Sequence, residues 1–476
     1  MFDVAVIGGG VIGATVLREL TKYRLNVCLL EKEADVAMGQ SRANSGIVHA
    51  GFDAPVGSLK AKFNVLGNAM MEDYAKELGV KFKRNGSLVV AFSEEELKPL
   101  EELKARGEKN GVKDLKIISK EELNKIEPSV SKSAVGALLA PTGGIVCPYK
   151  LTVAAVGNAM DNGASLFTDF EVEKVDKTEK GFIITAKGGR QILANTVVNC
   201  AGIYSEDIAK AAGDKSFTVG GRKGEYILLD RECGDFVKRT LFFTPTEKGK
   251  GILVSPTVDG NIILGPTAEI VDDKNVETSV AGLKDVQEKA AKMCDKVPFG
   301  GTITSFAGTR AYCDRHDFII EDSATVKGLI NCAGIESPGL TSAPAIAKYV
   351  VEELVSKFFE LVKNPDFKGE RKPDDFFNLL TVEEKNKIIK QNPAYGKIVC
   401  RCERITEGEI VRAIKTNPPA TNVDAIKRRT RAGMGRCQGG FCQPQVAEII
   451  ARELGIPLEK VTKSGKESYL LRGKTK

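Results

Sequence analysis

Four cysteines near the C-terminal end of the chain have the spacing of metal or cluster ligands. Cys400 and Cys402 form a C-x-C pair, and after 34 intervening residues Cys437 and Cys442 form a C-x4-C pair. Four thiolates on two turns can enclose either an iron–sulfur cluster or a zinc ion. Glycines around the second pair would let the backbone approach a bound group closely, and these are Gly433, Gly435, Gly439 and Gly440.

Three glycines at the N-terminal end predict a dinucleotide site. Gly8, Gly10 and Gly13 fit the pattern G-x-G-x-x-G, and the acidic Glu31 follows 18 residues after Gly13. The first glycine permits a tight turn, the second lets the backbone reach a pyrophosphate, and the third lets a helix pack on a strand. The helix N-terminus would then face the phosphates, and Glu31 would accept hydrogen bonds from a ribose.

Only two histidines, His49 and His316, occur in the chain. A histidine suits the removal of a hydroxyl proton while an alcohol carbon gives up a hydride. We predict that His49 is this base, with His316 as the second candidate. A structural loop histidine and a point of covalent cofactor attachment are the alternatives for His49.

Two segments resemble the D-amino-acid-oxidase-like flavoenzyme superfamily. The small, polar loop Gly39–Gly51 resembles its flavin-contacting segment, and residues 328–344 resemble its strand, loop and helix beneath the isoalloxazine. The resemblance implies FAD, which we predict to be bound without a covalent link. It adds these residues to the expected cofactor site: Ser41, Asn44, Ser45, Gly202, Gly334, Ser337, Gly339, Leu340 and Thr341. A helix starting near Leu340 would direct its amides at the flavin edge where negative charge gathers.

The same resemblance indicates a small anionic alcohol as the substrate. Arg310 matches the position at which the superfamily places an arginine against the anionic group of its substrate. Lys250 could add a point charge for a phosphate. The segment Ser45–Lys62 is similar to two subfamilies, the glycerol-3-phosphate oxidases and dehydrogenases and the L-2-hydroxyglutarate dehydrogenases. The anaerobic glycerol-3-phosphate dehydrogenase catalytic subunits carry an arginine four residues beyond the histidine, where this chain has Asp53.

The C-terminal cysteine segment resembles the bacterioferritin-associated-ferredoxin-like [2Fe-2S] domain, with zinc as the lesser alternative. A cluster gives electrons a route out one at a time, which indicates a dehydrogenase that works with electron-transfer partner subunits rather than an oxidase. Together with the similarity to the glycerol-3-phosphate oxidases and dehydrogenases, this predicts oxidation of glycerol 3-phosphate to dihydroxyacetone phosphate. Other interpretations are a 2-hydroxy acid dehydrogenase, a flavin and iron–sulfur electron-transfer subunit, and a flavoenzyme that oxidises amines or amino acids.

Charge is distributed unevenly. Residues 397–476 contain 17 Lys and Arg against 8 Asp and Glu, whereas the whole chain has a net charge of +6. We expect basic residues near the cysteines to favour a negatively charged cluster, namely Arg401, Arg404, Lys427, Arg428, Arg429, Arg431 and Arg436. Few aromatic side chains are available in this segment to stack on bases, so we expect no nucleic acid partner.

The elements that must position these residues are predicted from apolar patterning. Residues 2–8 read as a buried strand, Val11–Tyr23 as a helix and Asn26–Leu30 as a second strand. The predicted fold class is α/β, with a discontinuous Rossmann-like FAD-binding domain, an inserted α+β substrate domain and a small helical cluster domain. The predicted boundaries are 1–80, 141–215 and 316–360 for FAD binding, 81–140 and 216–315 for substrate, 361–395 for a linker, 396–460 for the cluster domain and 461–476 for a tail.

Neither a membrane span nor a secretion signal is predicted. No run of 18 or more apolar residues occurs, and the N-terminal apolar run follows Asp3 rather than a basic region. The other seven of the eleven cysteines are scattered singly, as is typical of buried thiols in a reducing compartment. We therefore expect a cytoplasmic protein.

Overall fold

The structure is a computed structural model that describes residues 1–245, 251–271 and 275–473. Within these ranges the strands are, in chain order, β1 (Phe2–Ile7), β2 (Val27–Leu30), β3 (Ile47–Val48), β4 (Phe82–Lys83), β5 (Ser87–Ala91), β6 (Lys116–Ser119), β7 (Gly136–Ala140), β8 (Gly144–Val146), β9 (Ser165–Phe167), β10 (Val172–Thr178), β11 (Gly181–Ala186), β12 (Gln191–Asn199), β13 (Val219–Leu229), β14 (Thr240–Phe243), β15 (Leu253–Pro256), β16 (Ile262–Gly265), β17 (Glu269–Val271), β18 (Thr302–Cys313), β19 (Ile319–Asp322), β20 (Leu329–Ala333), β21 (Ile398–Cys400) and β22 (Ile405–Thr406).

The α-helices of the same ranges follow the same order. They are α1 (Val11–Leu20), α2 (Leu59–Glu77), α3 (Leu97–Lys109), α4 (Lys120–Ile126), α5 (Pro148–Asp161), α6 (Ser205–Ala211), α7 (Val280–Met293), α8 (Gly339–Tyr349), α9 (Val382–Gln391), α10 (Glu407–Lys415), α11 (Val423–Thr430) and α12 (Gln443–Leu454).

An eight-stranded sheet holds the dinucleotide motif. Its main order is β10-β11-β12-β1-β2-β9, and β20 pairs with both β12 and β19. The central strands β12, β1 and β2 are parallel, so their carboxyl ends lie at one edge. Helices α1, α2, α5 and α8 share one apolar core with this sheet. Because helices cover the central strands, β1 and β2 are almost wholly apolar rather than alternating.

A nine-stranded sheet forms the second layer of the molecule. Its order is β17-β13-β16-β15-β14-β5-β7-β6, with β18 paired along β13. Strands from two separate stretches of the chain meet where β14 runs parallel to β5. The long antiparallel pair β13–β18 extends from Val219 opposite Cys313 to Leu229 opposite Thr302. It brings Arg310 and Tyr226 towards the dinucleotide sheet.

The C-terminal residues form a third, small unit around their own core. Helices α10, α11 and α12 pack with the hairpin β21–β22. A capping box begins α10, in which the Thr406 hydroxyl accepts from the Glu409 amide and the Glu409 carboxylate accepts from the Thr406 amide. The sequence T-x-x-E before an apolar helix face explains this start.

Residues 361–395, which we predicted to be a linker, contain one α-helix among the described residues, α9. Most of the segment follows the surface of the first unit, with the Asn364 amide donating to Lys22 and the Arg371 amide donating to Glu77. Backbone contacts to a neighbouring surface replace those a helix would make.

The predicted α/β fold class, with an FAD-binding fold and a separate C-terminal cluster domain, is confirmed. Element ends are less well predicted: α1 ends at Leu20 rather than Tyr23. A search of the described helices finds none with both the length and the apolar character needed to cross a membrane.

Candidate functional site

One large cavity lies between the eight-stranded and nine-stranded sheets, with a volume of about 920 Å³. Both sheets and the loops after β1, β2, β12 and β20 contribute to its walls. The predicted site residues that line it are Gly8, Gly10, Glu31, Ser41, Asn44, Ser45, His49, Gly202, Arg310, Ser337, Gly339 and Leu340. Gly13, Gly334 and Thr341 stand behind the wall, and Lys250 is outside the described residues.

Close backbone approach explains the first and third glycines of the motif. Gly8 has φ +108°, and a Cβ there would lie 2.4 Å from the Cys200 carbonyl oxygen. A Cβ on Gly13 would lie 2.0 Å from the Gly8 carbonyl oxygen. A larger residue at Gly8 would push the β1 turn away from Cys200 after β12, and one at Gly13 would separate α1 from the β1 turn. Gly10 is the N-cap residue of α1 and makes no side-chain cap, so the start of the helix faces the cavity.

Glu31 lies at the carboxyl end of β2 and is buried. Its carboxylate accepts from the Gly9 amide at 2.7 Å and from the Glu33 amide at 2.9 Å. Burial raises the pKa of Glu31 to about 7, although both amide hydrogen bonds act in the opposite direction. A carboxylate at this place can accept hydrogen bonds from ribose hydroxyls.

The loop after β2 is tied to the elements around it. Ser41 accepts from the Val11 amide at 2.8 Å, at the first turn of α1. Gln40 accepts from the Ala311 amide of β18 at 3.1 Å and donates to the Ile335 carbonyl at 3.2 Å. The Gln40 side chain therefore connects both layers across the cavity, a role that sequence reasoning missed.

His49 is positioned mainly through its backbone. Its amide donates to the Thr341 hydroxyl at 2.9 Å, and its carbonyl accepts from Asn64 at 2.8 Å and Asn68 at 3.0 Å. The ring Nε2 lies 3.2 Å from the Ser337 hydroxyl. The Phe242 ring packs on the imidazole with centroids 5.8 Å apart.

Helices α2 and α8 provide these contacts because they approach each other closely at Gly67. A Cβ on Gly67 would lie 2.1 Å from the Thr341 carbonyl oxygen. Asn64 lies three residues before this glycine and four before Asn68, and residues three and four apart are neighbours on a helix. The close approach thus brings both of them, and Thr341 on the opposite helix, to the His49 backbone.

Arg310 projects from β18 into the same cavity. One guanidinium nitrogen donates to the Thr267 carbonyl at 3.3 Å, and the buried Nε has no hydrogen-bond partner within the described part of the chain. Buried donors without a partner are rare in folded proteins. An unpaired guanidinium edge on a cavity wall suits an anionic ligand group.

Tyr226 and Phe242 also line the cavity and were not predicted as site residues. Tyr226 stacks on Phe306 with centroids 4.9 Å apart. Burial raises its pKa to about 12, while the nearby charge of Arg310 and a hydrogen bond with Ser45 act in the opposite direction. His316 is exposed and does not line the cavity.

The four predicted cysteine ligands come together as two pairs. Cys402 and Cys437 have sulfurs 3.7 Å apart, and Cys400 and Cys442 share a hydrogen bond. Two thiolates on one tetrahedral ion lie about 3.7 Å apart when each metal–sulfur bond is about 2.3 Å. Within the described ranges, no three His, Cys, Asp or Glu side chains converge closely enough to hold a single ion. Two thiolates for each of two irons fit this arrangement better than four on one zinc.

The glycines around the second cysteine pair have the expected effect at one position. A Cβ on Gly435 would lie 2.3 Å from the Cys402 Cβ, so a larger residue would push the two cysteine loops apart. Cys402 is exposed, and Phe441, just before Cys442, is 83% exposed. The thiol pair of Cys402 and Cys437 therefore lies at the protein surface.

Several basic residues near the cysteines do something other than predicted. Arg428 and Arg429 pair with Asp35 of the first unit, Arg431 pairs with Asp259 of the second, and Arg436 pairs with Asp230. These ion pairs thus hold the C-terminal unit against the rest of the protein. Arg401 and Arg404 are exposed and form no ion pair with any described residue.

These features fit FAD and a [2Fe-2S] cluster. The glycine turn and the start of α1, where Ser41 accepts from the Val11 amide, can receive a pyrophosphate, Glu31 can receive a ribose, and the cavity continues to His49 and Arg310. The paired thiols fit two irons. The Arg310 Nε, without a partner in the described ranges, suits an anionic group on the wall of the same cavity.

Comparison with known proteins agrees with this geometry. A family model described as FAD dependent oxidoreductase matches residues 3–353, and one described as BFD-like [2Fe-2S] binding domain matches residues 398–452. A glycerol 3-phosphate dehydrogenase of Caloramator mitchellensis is 48% identical over 100% of this chain and 99% of its own. The mitochondrial L-2-hydroxyglutarate dehydrogenase of Pongo abelii is 29% identical and covers 75% of this chain and 88% of its own.

A solved structure is similar over most of the catalytic part. It is dithionite-reduced L-alpha-glycerophosphate oxidase from Mycoplasma pneumoniae with FAD bound, with a TM-score of 0.74 at 32% identity. The match covers 78% of this chain and 98% of that one. Together these findings show that the chain belongs to the FAD dependent oxidoreductase family, with a BFD-like [2Fe-2S] binding domain at its C-terminal end.

Proposed function

We propose that this protein is a dehydrogenase that oxidises sn-glycerol 3-phosphate to dihydroxyacetone phosphate and releases the electrons through its cluster domain. The observation that carries the proposal is that one cavity is lined by the dinucleotide motif, by His49 and by Arg310, whose Nε has no partner among the described residues. A proton acceptor and an anion-binding fork are the two groups that oxidation of an anionic secondary alcohol requires.

The proposed roles follow from the contacts of each residue. FAD, once bound, supplies the acceptor for the hydride that leaves C2 of the substrate. His49 accepts the proton of the C2 hydroxyl, so that the C2–O bond becomes a carbonyl. Its backbone contacts to Thr341, Asn64 and Asn68 keep the imidazole in place during this transfer. Arg310 binds the phosphate and thereby aligns C2.

Several findings favour a phosphate substrate. The relative that spans the whole chain is named glycerol 3-phosphate dehydrogenase, and the solved structure is that of a glycerophosphate oxidase. Asp53, which stands where related subunits carry an arginine, does not line the cavity. Arg310 therefore supplies the phosphate contact in this proposal, and Lys250, outside the described residues, stays a prediction for a second one.

The position of the cysteine pairs supports electron release to a partner. Cys402 and Phe441 are exposed, so the edge of a bound cluster would be accessible to another protein. Electron-transfer partners accept electrons singly, which a [2Fe-2S] cluster provides. A dehydrogenase that delivers electrons outward is the function that best accounts for this extra domain.

A substrate comparison tests the proposal. Anaerobic addition of glycerol 3-phosphate should bleach the flavin absorbance and support dye reduction, whereas L-2-hydroxyglutarate should do neither at the same concentration. Activity with L-2-hydroxyglutarate alone would assign the enzyme to hydroxy acids. If the flavin is reduced by light but is bleached by neither alcohol substrate, nor by glycine or by proline, the protein is an electron-transfer subunit.

The substitution Arg310→Lys tests phosphate binding by this residue, because it keeps the positive charge and removes the planar guanidinium. We expect KM for glycerol 3-phosphate to rise roughly 10- to 100-fold, as the loss of one or two hydrogen bonds to a charged group implies. Turnover at saturation should change less. An unchanged KM would mean that the phosphate is bound elsewhere.

A further inference from the structure

The loop that follows Glu31 lies between the cofactor cavity and the C-terminal domain. We call residues 31–36 the ribose loop. Glu31, Lys32 and Glu33 line the cavity. Asp35 in the same loop is buried and faces α11 of the C-terminal domain. One short segment therefore contacts the FAD site on one side and the cluster domain on the other.

Two arginines of α11 grip this loop through Asp35. Arg428 donates to Asp35 at 2.6 Å, and Arg429 donates to both carboxylate oxygens at 2.8 and 2.9 Å. All three residues are 3% exposed or less. Burial opposes the charge on Asp35, but the two arginines prevail and lower its pKa to about 2. A buried carboxylate held in this way fixes the loop backbone around it.

The chain beyond α12 reaches the same loop from a second direction. Ser464 is part of the cavity wall. Gly465 has φ +90°, and a Cβ there would lie 2.1 Å from the Ala34 Cβ. Lys466 pairs with Glu33 at 2.8 Å. This tail is itself anchored to the start of α11, where the Asp424 amide donates to the Lys463 carbonyl at 2.8 Å.

From these contacts we infer that the C-terminal domain completes the FAD site: Arg428, Arg429 and the tail at Ser464–Lys466 hold the ribose loop in its binding conformation, and Ser464 forms part of the wall at the adenosine end. A loop ordered in advance costs less conformational entropy when the cofactor binds. The inference depends on FAD binding in this cavity and is independent of which alcohol the enzyme oxidises.

Coupling of this kind is reciprocal. Because the domain stabilises the loop that binds FAD, bound FAD stabilises the docked domain by the same free energy. Hydrogen exchange of amides in residues 461–470 should therefore slow when FAD is added to the flavin-free protein. This measurement requires neither substrate nor turnover, so failure of the proposed reaction would leave it interpretable.

Two buried carboxylates allow a matched test. Asp35 and Asp259 each pair with C-terminal arginines, but only Asp35 belongs to the ribose loop. We expect Asp35→Asn to weaken FAD binding roughly tenfold or more, and Asp259→Asn to change it by less than about twofold. The readout is the dissociation constant from quenching of FAD fluorescence by flavin-free full-length protein. Equal weakening by both substitutions would show a general loss of docking and overturn the inference.

Gly465→Val supports the test should Asp35→Asn fail to fold. Gly465 is buried against Ala34 of the ribose loop, and a valine at φ +90° with no room there would displace the tail. We expect weaker FAD binding with an unchanged iron content and cluster absorbance. FAD affinity equal to that of the unaltered protein in this variant would exclude a contribution from the tail.

Discussion

At the residue scale, His49 depends on contacts to its backbone from two helices. Thr341, Asn64 and Asn68 fix the main chain at this point, and Ser337 and Phe242 contact the ring. In the proposed reaction these backbone contacts would keep the imidazole in position while it takes a proton, and they leave substrate binding to other groups.

His49→Ala should lower the rate of flavin reduction by substrate about 10²- to 10⁴-fold, because a general base contributes on that order. FAD affinity should be retained, since the described contacts of His49 are to its neighbours and not to the glycine motif. Stopped-flow absorbance under anaerobic conditions measures both. The matched control is His316→Ala, which alters an exposed histidine outside the cavity lining. Near-normal reduction by His49→Ala would refute the base assignment.

Glu31 makes the stability of the flavin-free protein depend on pH. Its folded-state pKa of about 7 is above the ordinary value of 4.5, so the folded protein binds the proton more tightly than the unfolded chain. Stability should therefore fall as the pH rises from about 4.5 to about 7, by about 3 kcal/mol in all. Urea unfolding of flavin-free protein at pH 5 and pH 8 measures the change.

Glu31→Gln should remove this contribution, since the amide does not ionise. The exposed Glu173, also on the cavity wall, provides the control substitution Glu173→Gln, which should leave the pH dependence as it is. A pH dependence that persists unchanged in Glu31→Gln would show that another group causes it.

Local motifs and distant contributions differ in how well the sequence predicts them. The glycine pattern, Glu31 and the cysteine pairs lie within short stretches whose spacing carries its own physical reason. Tyr226 and Phe242 reach the cavity through strands of another sheet, so their place depends on how β13 and β14 pack. Gln40 belongs to the loop Gly39–Gly51, which the sequence indicated. Its role was not predictable, because its two hydrogen-bond partners are about 270 and 295 residues away along the chain.

At the scale of elements, the close approach of α2 and α8 determines the geometry around His49. Gly67 permits it, because no side chain separates the two backbones. The sequence offered no sign of this contact: Gly67 lies in the middle of a helix, where a glycine is ordinarily unfavourable. Its tertiary contact to α8 gives the reason for that choice.

Gly67→Ala should destabilise the protein by about 1–3 kcal/mol, as overpacking of a close contact does. The added Cβ would meet the Thr341 carbonyl, so the helices must move apart and the His49 support must loosen. We expect a lower urea midpoint and slower flavin reduction by substrate. Gly300→Ala serves as control, since no atom lies within 4 Å of a Cβ there. Equal effects of the two substitutions would contradict the role of the helix contact.

At the scale of the whole molecule, one chain combines an FAD site and a cluster site joined by ion pairs. The charge difference between the two parts was evident from composition, but its use was not. Composition cannot show that Arg428, Arg429 and Arg431 face buried carboxylates of other domains, because each partner lies more than 150 residues away. The order of domains was predictable, and their mutual contacts were not.

Cys437→Ala should separate the two redox sites. With FAD in excess, we expect substrate to bleach the flavin at the unaltered rate, while reduction of a one-electron protein acceptor is largely lost. Absorbance of the cluster should be absent as well. Cys233→Ala, which alters a thiol of the catalytic part away from the ligand pairs, should leave both steps intact. Full acceptor reduction by Cys437→Ala would mean that electrons leave by another route.

The pairing of thiols across the two cysteine motifs has one more consequence. Cys400 partners Cys442 and Cys402 partners Cys437, so each iron would bind one residue from either end of a 34-residue segment. A bound cluster then acts as a cross-link that closes a chain loop, as a disulfide would. Helix α11, with the arginines that grip Asp35, lies inside that loop. Cells starved of iron should accordingly accumulate protein that is poor in flavin as well.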